Sequence, residues 1–316
     1  MNKKVSILIP MYNAEAFVRE TLDSCLKQTY KNIEIIVVDD GSKDNSLSIA
    51  KEYESDSRVK VFSIQNSGAC VARNVALQQA TGGYIVFLDA DNIISPEKIQ
   101  SQIEILENSD CKEIVATGPW DRFYNSITEA KFPKLHVYQS YRHGIDLLLD
   151  LWNYSEMFET GCYMISRELA IKAGPWMPGL NKNQDGEYFS RVLMQSADVI
   201  FCPEAKVYYR TGEYDSVSKD NSKTKVEALL YSFKCYKSNI LKYEDTPRVK
   251  AALTRNFSLF MYLYYGQYPD LCKQAKEEII EMGLKPFQAG TSRSKLFSKL
   301  IGLENFLKLR RFVLKR

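Results

Sequence analysis

The sequence predicts an α/β fold: a mostly parallel sheet flanked by helices, with a helical extension at the C-terminus. Three observations carry this. Short apolar runs alternate with amphipathic stretches over the first 120 residues, and such alternation over short loops gives parallel strands covered on both faces. Three polar clusters, Pro10-Met11-Tyr12-Asn13, Asp39-Asp40-Gly41-Ser42 and Asp89-Ala90-Asp91, fall where strands end. Open parallel sheets bind ligands beyond the carboxyl ends of their strands. From Ser222 onward the pattern turns helical. That places a boundary near 220 and divides the chain into 1–220 and 221–316.

Taken in order, residues 5–9 form a short apolar run, a buried strand. Asn13 is placed to cap the next helix, with Glu15 in its first turn. Residues 33–38 are a second strand, and Asp44 is placed to cap a helix reaching about residue 53. Strands follow at 59–64 and 84–88, with a helix at 68–80 between them. Pro96 opens a helix to about residue 108, and 113–117 is another strand. Residues 121–160 are less regular. Beyond them come strands at 162–166, 199–202 and 207–210 and a helix at 185–194. The extension reads as helices near 222–243, 247–265, 270–282 and 292–315.

Composition narrows the function classes. A chain of 316 residues is longer than one small core needs. Its net charge of +3 gives no global reason to expect nucleic-acid binding. The seven cysteines are scattered and odd in number, with no C-x-x-C, so reduced thiols are expected rather than a disulfide framework or zinc site. The N-terminus runs directly into a strand without the apolar core of a signal peptide. No stretch reaches 18 uninterrupted apolar residues, so no membrane span is expected.

Asp89 and Asp91 are two like charges one residue apart after a buried strand. They repel unless a cation or water lies between them. Oxygen donors suit Mn²⁺ or Mg²⁺, ions commonly shared with substrate phosphates; a hydrated turn is the alternative. The Asp39-Asp40 carboxylates can accept a nucleobase N–H or simply fix a tight turn. In Asn66-Ser67-Gly68-Ala69-Cys70-Val71-Ala72-Arg73-Asn74, a helix start and a guanidinium both favour an anion. Asp185, entering a helix, is either its N-cap or a general base for an acceptor hydroxyl. Trp176, in a Gly/Pro loop, is a candidate for stacking on an acceptor, with core packing as the alternative. His136 and His143 have no metal-ligand spacing, and Phe257, Phe260, Tyr262, Tyr264 and Tyr265 read as helix core.

Together these motifs resemble the family 2 glycosyltransferases, inverting enzymes of the Rossmann-like GT-A fold. The resemblance is carried by Ser6-Ile7-Leu8-Ile9-Pro10-Met11-Tyr12-Asn13-Ala14-Glu15, Val37-Val38-Asp39-Asp40-Gly41-Ser42-Lys43-Asp44, the Asn66 to Asn74 run and Phe87-Leu88-Asp89-Ala90-Asp91. It extends through Gln184-Asp185, Arg191 and Tyr209-Arg210 to Ser216 and Ser218, about residues 3–218 in all. It implies that Pro10, Tyr12 and Glu15 frame the nucleotide, and that Asp40, with Asp39, binds the base, usually uracil. Arg73 would lie near base or phosphate. Asp89 would meet ribose or metal-bound water, with Ala90 between it and Asp91, which would ligate Mn²⁺ or Mg²⁺. Asp185 would be the catalytic base.

Gln184 stands where the family has Glu, a departure that alters charge near the acceptor. The Gln-x-x-Arg-Trp signature of processive synthases does not occur, which favours transfer of one sugar to a glycan or lipid-linked hydroxyl. A dinucleotide-dependent oxidoreductase is disfavoured by the missing G-x-G-x-x-G. A nonenzymatic binding module and a nucleotidyltransferase are the other rivals.

Residues 291–316 carry eight basic side chains against the single Glu304, a net +7, so the remaining chain carries −4 of the total +3. Leucines recur there at near-helical spacing. Such a helix either lies on an anionic membrane surface or packs on the rest of the chain. The expected location is cytoplasmic, with peripheral attachment to the inner face of the cell membrane on the first of these readings.

Overall fold

The computed structural model describes residues 3–109, 113–212, 220–290 and 292–314. Ser216 and Ser218, named above, and one of the seven cysteines, Cys111, lie outside the described residues. The chain divides into two compact units. The first comprises Met1–Leu148, Glu156–Leu180 and Tyr188–Asp215, and the second Leu149–Ser155, Asn181–Glu187 and Ser216–Arg316.

In chain order the elements are β1 (Val5–Met11), α1 (Val18–Leu26), β2 (Ile33–Asp39), α2 (Ser46–Glu52), β3 (Val59–Ser63), α3 (Ala69–Gln79), β4 (Tyr84–Phe87), β5 (Ile93–Ile94) and α4 (Lys98–Glu107). They continue with β6 (Ile114–Thr117), β7 (Trp120–Phe123), α5 (Gly144–Tyr154), β8 (Met164–Ser166), α6 (Arg167–Lys172), α7 (Gln184–Met194), β9 (Asp198–Phe201) and β10 (Val207–Arg210). The last helices are α8 (Lys223–Tyr243), α9 (Pro247–Tyr264), α10 (Pro269–Glu281), α11 (Ser292–Ile301) and α12 (Leu303–Leu314).

The first unit is built on a seven-stranded sheet of order β3-β2-β1-β4-β8-β6-β9, in which only β8 runs antiparallel to its neighbours. β1 and β2 are buried along their whole length, as expected for strands with helices on both faces. The register aligns Met11 with Asp39 and Leu8 with Phe87. The ends of β1, β2 and β4 therefore share one edge. Pro10, which lacks an N–H, lies beyond the last β4 partner of β1, where no bond to that strand is required.

At the opposite edge a buried carboxylate holds three segments. Glu34 accepts from Ser6 Oγ at 2.6 Å, Thr81 N at 2.6 Å and Gly82 N at 3.0 Å. Lys4 and Lys60 lie 3.8 and 3.6 Å from it. These contacts hold its carboxyl below the usual carboxylate range even though burial, the largest single influence, acts the other way.

A second sheet, of order β5-β10-β7, contains the strand expected at 207–210 as β10, whereas β5 and β7 were not legible in the sequence. β5 is two residues long and β7 four, too short for periodicity to mark by itself. Helix α5 also emerges from the stretch read as irregular. Asn13 does not cap α1, which begins at Val18 after Phe17. It sits in the left-handed region at φ 48° and accepts from Lys43 N at 2.9 Å. Asp44 lies one residue before the cap of α2, accepting from Ser46 N at 3.0 Å and Glu15 N at 3.1 Å.

In the second unit, α8, α9 and α10 pack through Leu230, Leu253, Phe257, Phe260, Leu271 and Ile279. Phe257, Phe260 and Tyr264 are buried, as their helical spacing predicts. The single helix expected over 292–315 is two, broken at Gly302, whose φ of 79° a left-handed turn requires. One face of the pair packs inward through Ser298, Leu303 and Leu307. Glu304 meets Lys276 of α10 at 2.6 Å. Arg310 donates to the Tyr262 carbonyl at 2.9 Å, its guanidinium 4.4 Å above that ring. Among the described residues, no helix is long and apolar enough to cross a membrane.

Candidate active site

The carboxyl edge of β1, β2 and β4 gathers three loops through side-chain bonds to backbone. Asn13 N donates to Ser42 Oγ at 3.0 Å, and Ala14 N to Ser46 Oγ at 2.7 Å. Glu15 accepts from the backbone and side-chain nitrogens of Asn45, both at 2.9 Å. Glu15 therefore ties the loop after β1 to the loop after β2. Pro10 and Met11 are buried below it, and the Tyr12 ring is exposed.

Asp39 and Asp40 are both buried. Asp39 accepts from Ser63 Oγ at 3.1 Å and Ser42 N at 3.3 Å. Asp40 accepts from Ser67 N at 2.7 Å and Gly68 N at 2.8 Å. Gly68, at φ 92°, is the residue from which α3 starts, so Asp40 fixes the entry to that helix. A base approaching either carboxylate must use the lone pairs these bonds leave.

Five residues into α3, Arg73 is buried and donates to Asp89 Oδ1 at 2.7 Å. Its guanidinium lies 4.5 Å over the Trp176 ring. The anion near Arg73 is thus a carboxylate of its own chain. Trp176 has no exposed surface. It stacks on Tyr188 at 4.1 Å and meets Phe87 edge-on at 5.1 Å. Asn74 brackets its backbone through bonds of 2.8 Å to both N and O. No sugar can stack on this ring, so its candidate role as an acceptor platform is corrected: Trp176 backs Arg73. A Gly/Pro loop suggests exposure locally, but the aromatic neighbours that cover the ring are remote in sequence.

The Asp89-Ala90-Asp91 turn leads straight into β5, and the small sheet holds it. Arg210, at the end of β10, donates from Nε to the Asp91 carbonyl at 3.0 Å and from its backbone N–H to Asn92 Oδ1 at 3.1 Å. Its guanidinium pairs with Glu20 of α1 and lies between Phe17 and Phe123, 4.9 and 4.5 Å from their centroids. Asn92, fully buried, donates to Glu159 at 2.9 Å, and Glu159 accepts from Gly161 N at 2.6 Å. Thr21 Oγ1 donates to the Ala90 carbonyl at 2.9 Å. Sequence reasoning missed Glu20, Asn92 and Glu159. It named Arg210 only as part of a resembling segment.

The Asp91 carboxyl is pushed up to about 7 by burial and then by the charge of Asp89, with Arg210 opposing. A carboxyl held that high lacks a full counter-charge. A divalent cation bound through oxygen and shared with a diphosphate would supply it, so Asp91 and Asp89 fit Mn²⁺ or Mg²⁺. Among the described residues no group of three or more His, Cys, Asp and Glu side chains forms a metal cage. A surface groove of about 450 Å³, lined by Ser101, Glu104 and Phe201 among others, includes none of these residues.

Asp185 and Gln184 belong to the second unit, in the first turn of α7. Asn183, left-handed at φ 59°, donates from Nδ2 to Ser232 Oγ at 2.8 Å and to Tyr236 Oη at 2.7 Å. Glu187 N closes the turn onto the Asn183 carbonyl at 3.1 Å. Trp152 stacks on Tyr236 at 5.0 Å. Burial first, then the charges of Asp185 and Glu187, push the Tyr236 hydroxyl well above its ordinary range. That hydroxyl stays protonated and buttresses the turn that carries Asp185.

The seven-stranded order, the carboxyl-edge site and the Asp89–Asp91 turn define a GT-A fold. The glycosyl transferase family 2 model matches residues 6–174, more than half of the chain, and the chain belongs to that family. An uncharacterized glycosyltransferase of Haemophilus influenzae is 43% identical over 104 residues, 32% of this chain and 42% of that protein. Glycosyltransferase GlyA of Streptococcus pneumoniae serotype 4 is 41% identical over 102 residues, 32% of this chain and 15% of that protein. The matches thus span less than half of these curated relatives. Among solved structures, S. aureus TarS 1-349 in complex with UDP-GlcNAc superposes with a TM-score of 0.72 at 17% identity, covering 96% of this chain and 89% of that one. GalNAc-T7 with UDP, GalNAc and Mn²⁺ gives a TM-score of 0.57 at 17% identity, covering 87% and 55%.

Proposed function

We propose that this protein transfers a single hexosyl or N-acetylhexosaminyl unit, with inversion, from a UDP-sugar to a hydroxyl of a glycan or lipid-linked acceptor. The observation that carries the reading is the Arg73–Asp89–Asp91 constellation at the carboxyl edge of a family 2 sheet. The UDP-GlcNAc of TarS and the UDP and Mn²⁺ of GalNAc-T7 support the donor class. The described cysteines are free thiols, which suits work on the cytoplasmic side.

In the proposed reaction the acceptor oxygen attacks the anomeric carbon as the bond to the diphosphate breaks on the opposite face. Asp185 takes the acceptor proton, and an α-linked donor gives a β-linkage. Pro10, Tyr12 and Glu15 frame the nucleotide, with Asp39 and Asp40 at the base. Arg73 holds Asp89 in place at the ribose. Asp91 would hold Mn²⁺ or Mg²⁺, which when bound neutralises charge on the departing diphosphate. Gln184 lies beside the base without adding a charge, and so tunes acceptor contacts.

The test is UDP release from a panel of UDP-sugars with Mn²⁺, in wild type, Asp91→Ala and Asp185→Asn. One donor should turn over, slowly by hydrolysis when no acceptor is present. Asp185→Asn should lose about 10²–10⁴-fold in transfer while keeping UDP affinity, and Asp91→Ala should lose the metal dependence. If saturating UDP with Mn²⁺ fails to raise the melting temperature, the nucleotide-sugar reading is wrong: at about 100 times Kd, binding should add roughly 2.7 kcal/mol.

A further inference from the structure

We infer that the outer faces of α11 and α12 form a docking surface for an anionic lipid bilayer. The inner face of this pair is spoken for by Ser298, Leu303, Leu307 and the contacts to Tyr262 and Lys276 described above. The outer face is apolar and exposed. Leu296, Leu300 and Ile301 of α11 are 61, 74 and 42% exposed, and Leu309 and Phe312 of α12 are 55 and 62% exposed. Leu296 and Leu300 share one side of α11 at i and i+4, and Leu309 and Phe312 one side of α12 at i and i+3. Five large apolar side chains concentrated within 17 residues are a patch, whereas scattered single ones need no explanation.

Charge selects the occupant. Lys299 is one turn from Leu296 on α11, at i+3, and Lys308 adjoins Leu309 in the α12 sequence; both lysines are exposed. The one acidic residue in the segment, Glu304, is engaged by Lys276. The net charge of residues 291–316 is +7 with Glu304 already counted. A second copy docking through this same face would bring like charges together, which disfavours self-association. A nucleic-acid surface would leave the leucines and Phe312 without an apolar partner. An anionic bilayer answers both features: its headgroups meet the lysines and its acyl boundary takes the apolar side chains. The two helices thus pack on their own unit and present a membrane face at once. This inference is independent of the donor chemistry, because vesicle binding needs no turnover.

The full-length protein would be sedimented with phosphatidylcholine vesicles, with and without a third of phosphatidylglycerol. Wild type should sediment with the anionic vesicles and not the neutral ones, and added salt should weaken the binding. Leu300→Asp with Phe312→Asp should lower partitioning by about tenfold or more, and Lys299→Glu with Lys308→Glu should abolish the preference for phosphatidylglycerol. Both variants change exposed residues and should keep the wild-type melting temperature and its shift with UDP and Mn²⁺. Failure of wild type to bind anionic vesicles, equal binding to both vesicle types, or full binding by the Leu300/Phe312 variant would overturn the proposal. So would a concentration-dependent dimer by light scattering that dissociates in that variant and does not bind vesicles, since the face would then belong to a second copy.

Discussion

At the scale of single residues, the Asp89–Asp91 turn shows which parts of a site a sequence reveals. The two aspartates are legible because they sit one residue apart after a strand. Their supports are not. Asn92 finds Glu159 across 67 positions, and Arg210 reaches Asp91 across 119 and Glu20 across 190; no local pattern marks partners so far apart. Arg210 is the one of these whose loss is most informative. It is buried, and its Nε–H is the donor to the Asp91 carbonyl. Truncation leaves that carbonyl and the Glu20 carboxylate without their cation, a cost of about 1–3 kcal/mol. Arg210→Ala is expected to weaken Mn²⁺-dependent UDP binding roughly tenfold or more, with a smaller effect when metal is chelated. Calorimetric titration of UDP with and without Mn²⁺ makes the comparison. Equal losses under both conditions would mean that Arg210 supports the fold in general and not the aspartate turn.

At the scale of elements, the long apolar strands and the amphipathic helices were readable from their periods, because burial on both faces of β1 and β2 leaves an unbroken apolar run. Of the second sheet only β10 was, at 207–210; β5 and β7, two and four residues long, were not. The break at Gly302 was missed because leucine spacing continues across it. The first turn of α7 is set by tertiary contacts of the same hidden kind. A Cβ at Gly186 would lie 2.2 Å from Tyr236 Oη and 2.4 Å from Asn183 Oδ1. Tyr236 is buried and stacked on Trp152, so it cannot swing aside. Gly186→Ala must therefore move the turn and Asp185 with it. The expected result is a kcat loss of about 10²-fold, UDP affinity unchanged, and destabilisation of about 1–3 kcal/mol. Tyr236→Phe in the same chain removes the clashing hydroxyl and should restore part of the rate, a coupling that a mutant cycle reads directly. An unaltered kcat in Gly186→Ala would show that this turn tolerates displacement.

At the scale of the whole molecule, the sheet uses charge differently at its two edges. The carboxyl edge keeps Asp91 poorly neutralised, its carboxyl pushed up to about 7 by burial and Asp89, which lowers stability and which a bound cation would offset on the proposed reading. The amino edge does the reverse. Glu34 is buried, but four donors from Ser6, Thr81 and Gly82 and two lysines favour its charged form, and its carboxyl lies below the ordinary 4.5. The consequence for acid stability has a definite sign. In the unfolded chain Glu34 takes up a proton as pH falls through about 4.5, while the folded chain resists until its lower value is reached. Over that window the unfolded state binds more protons, so stability contributed by Glu34 is present above about pH 4.5 and drains away as pH falls towards the folded value. Glu34→Gln keeps the shape, removes the titration and leaves Ser6, Thr81 and Gly82 with a weaker acceptor. It should cost about 1–3 kcal/mol at neutral pH, with a stability curve flatter than that of wild type below pH 4.5. Urea midpoints measured from pH 7 down to 3 give both curves. Parallel slopes below pH 4.5 would mean that the acid sensitivity of this fold arises from other carboxylates.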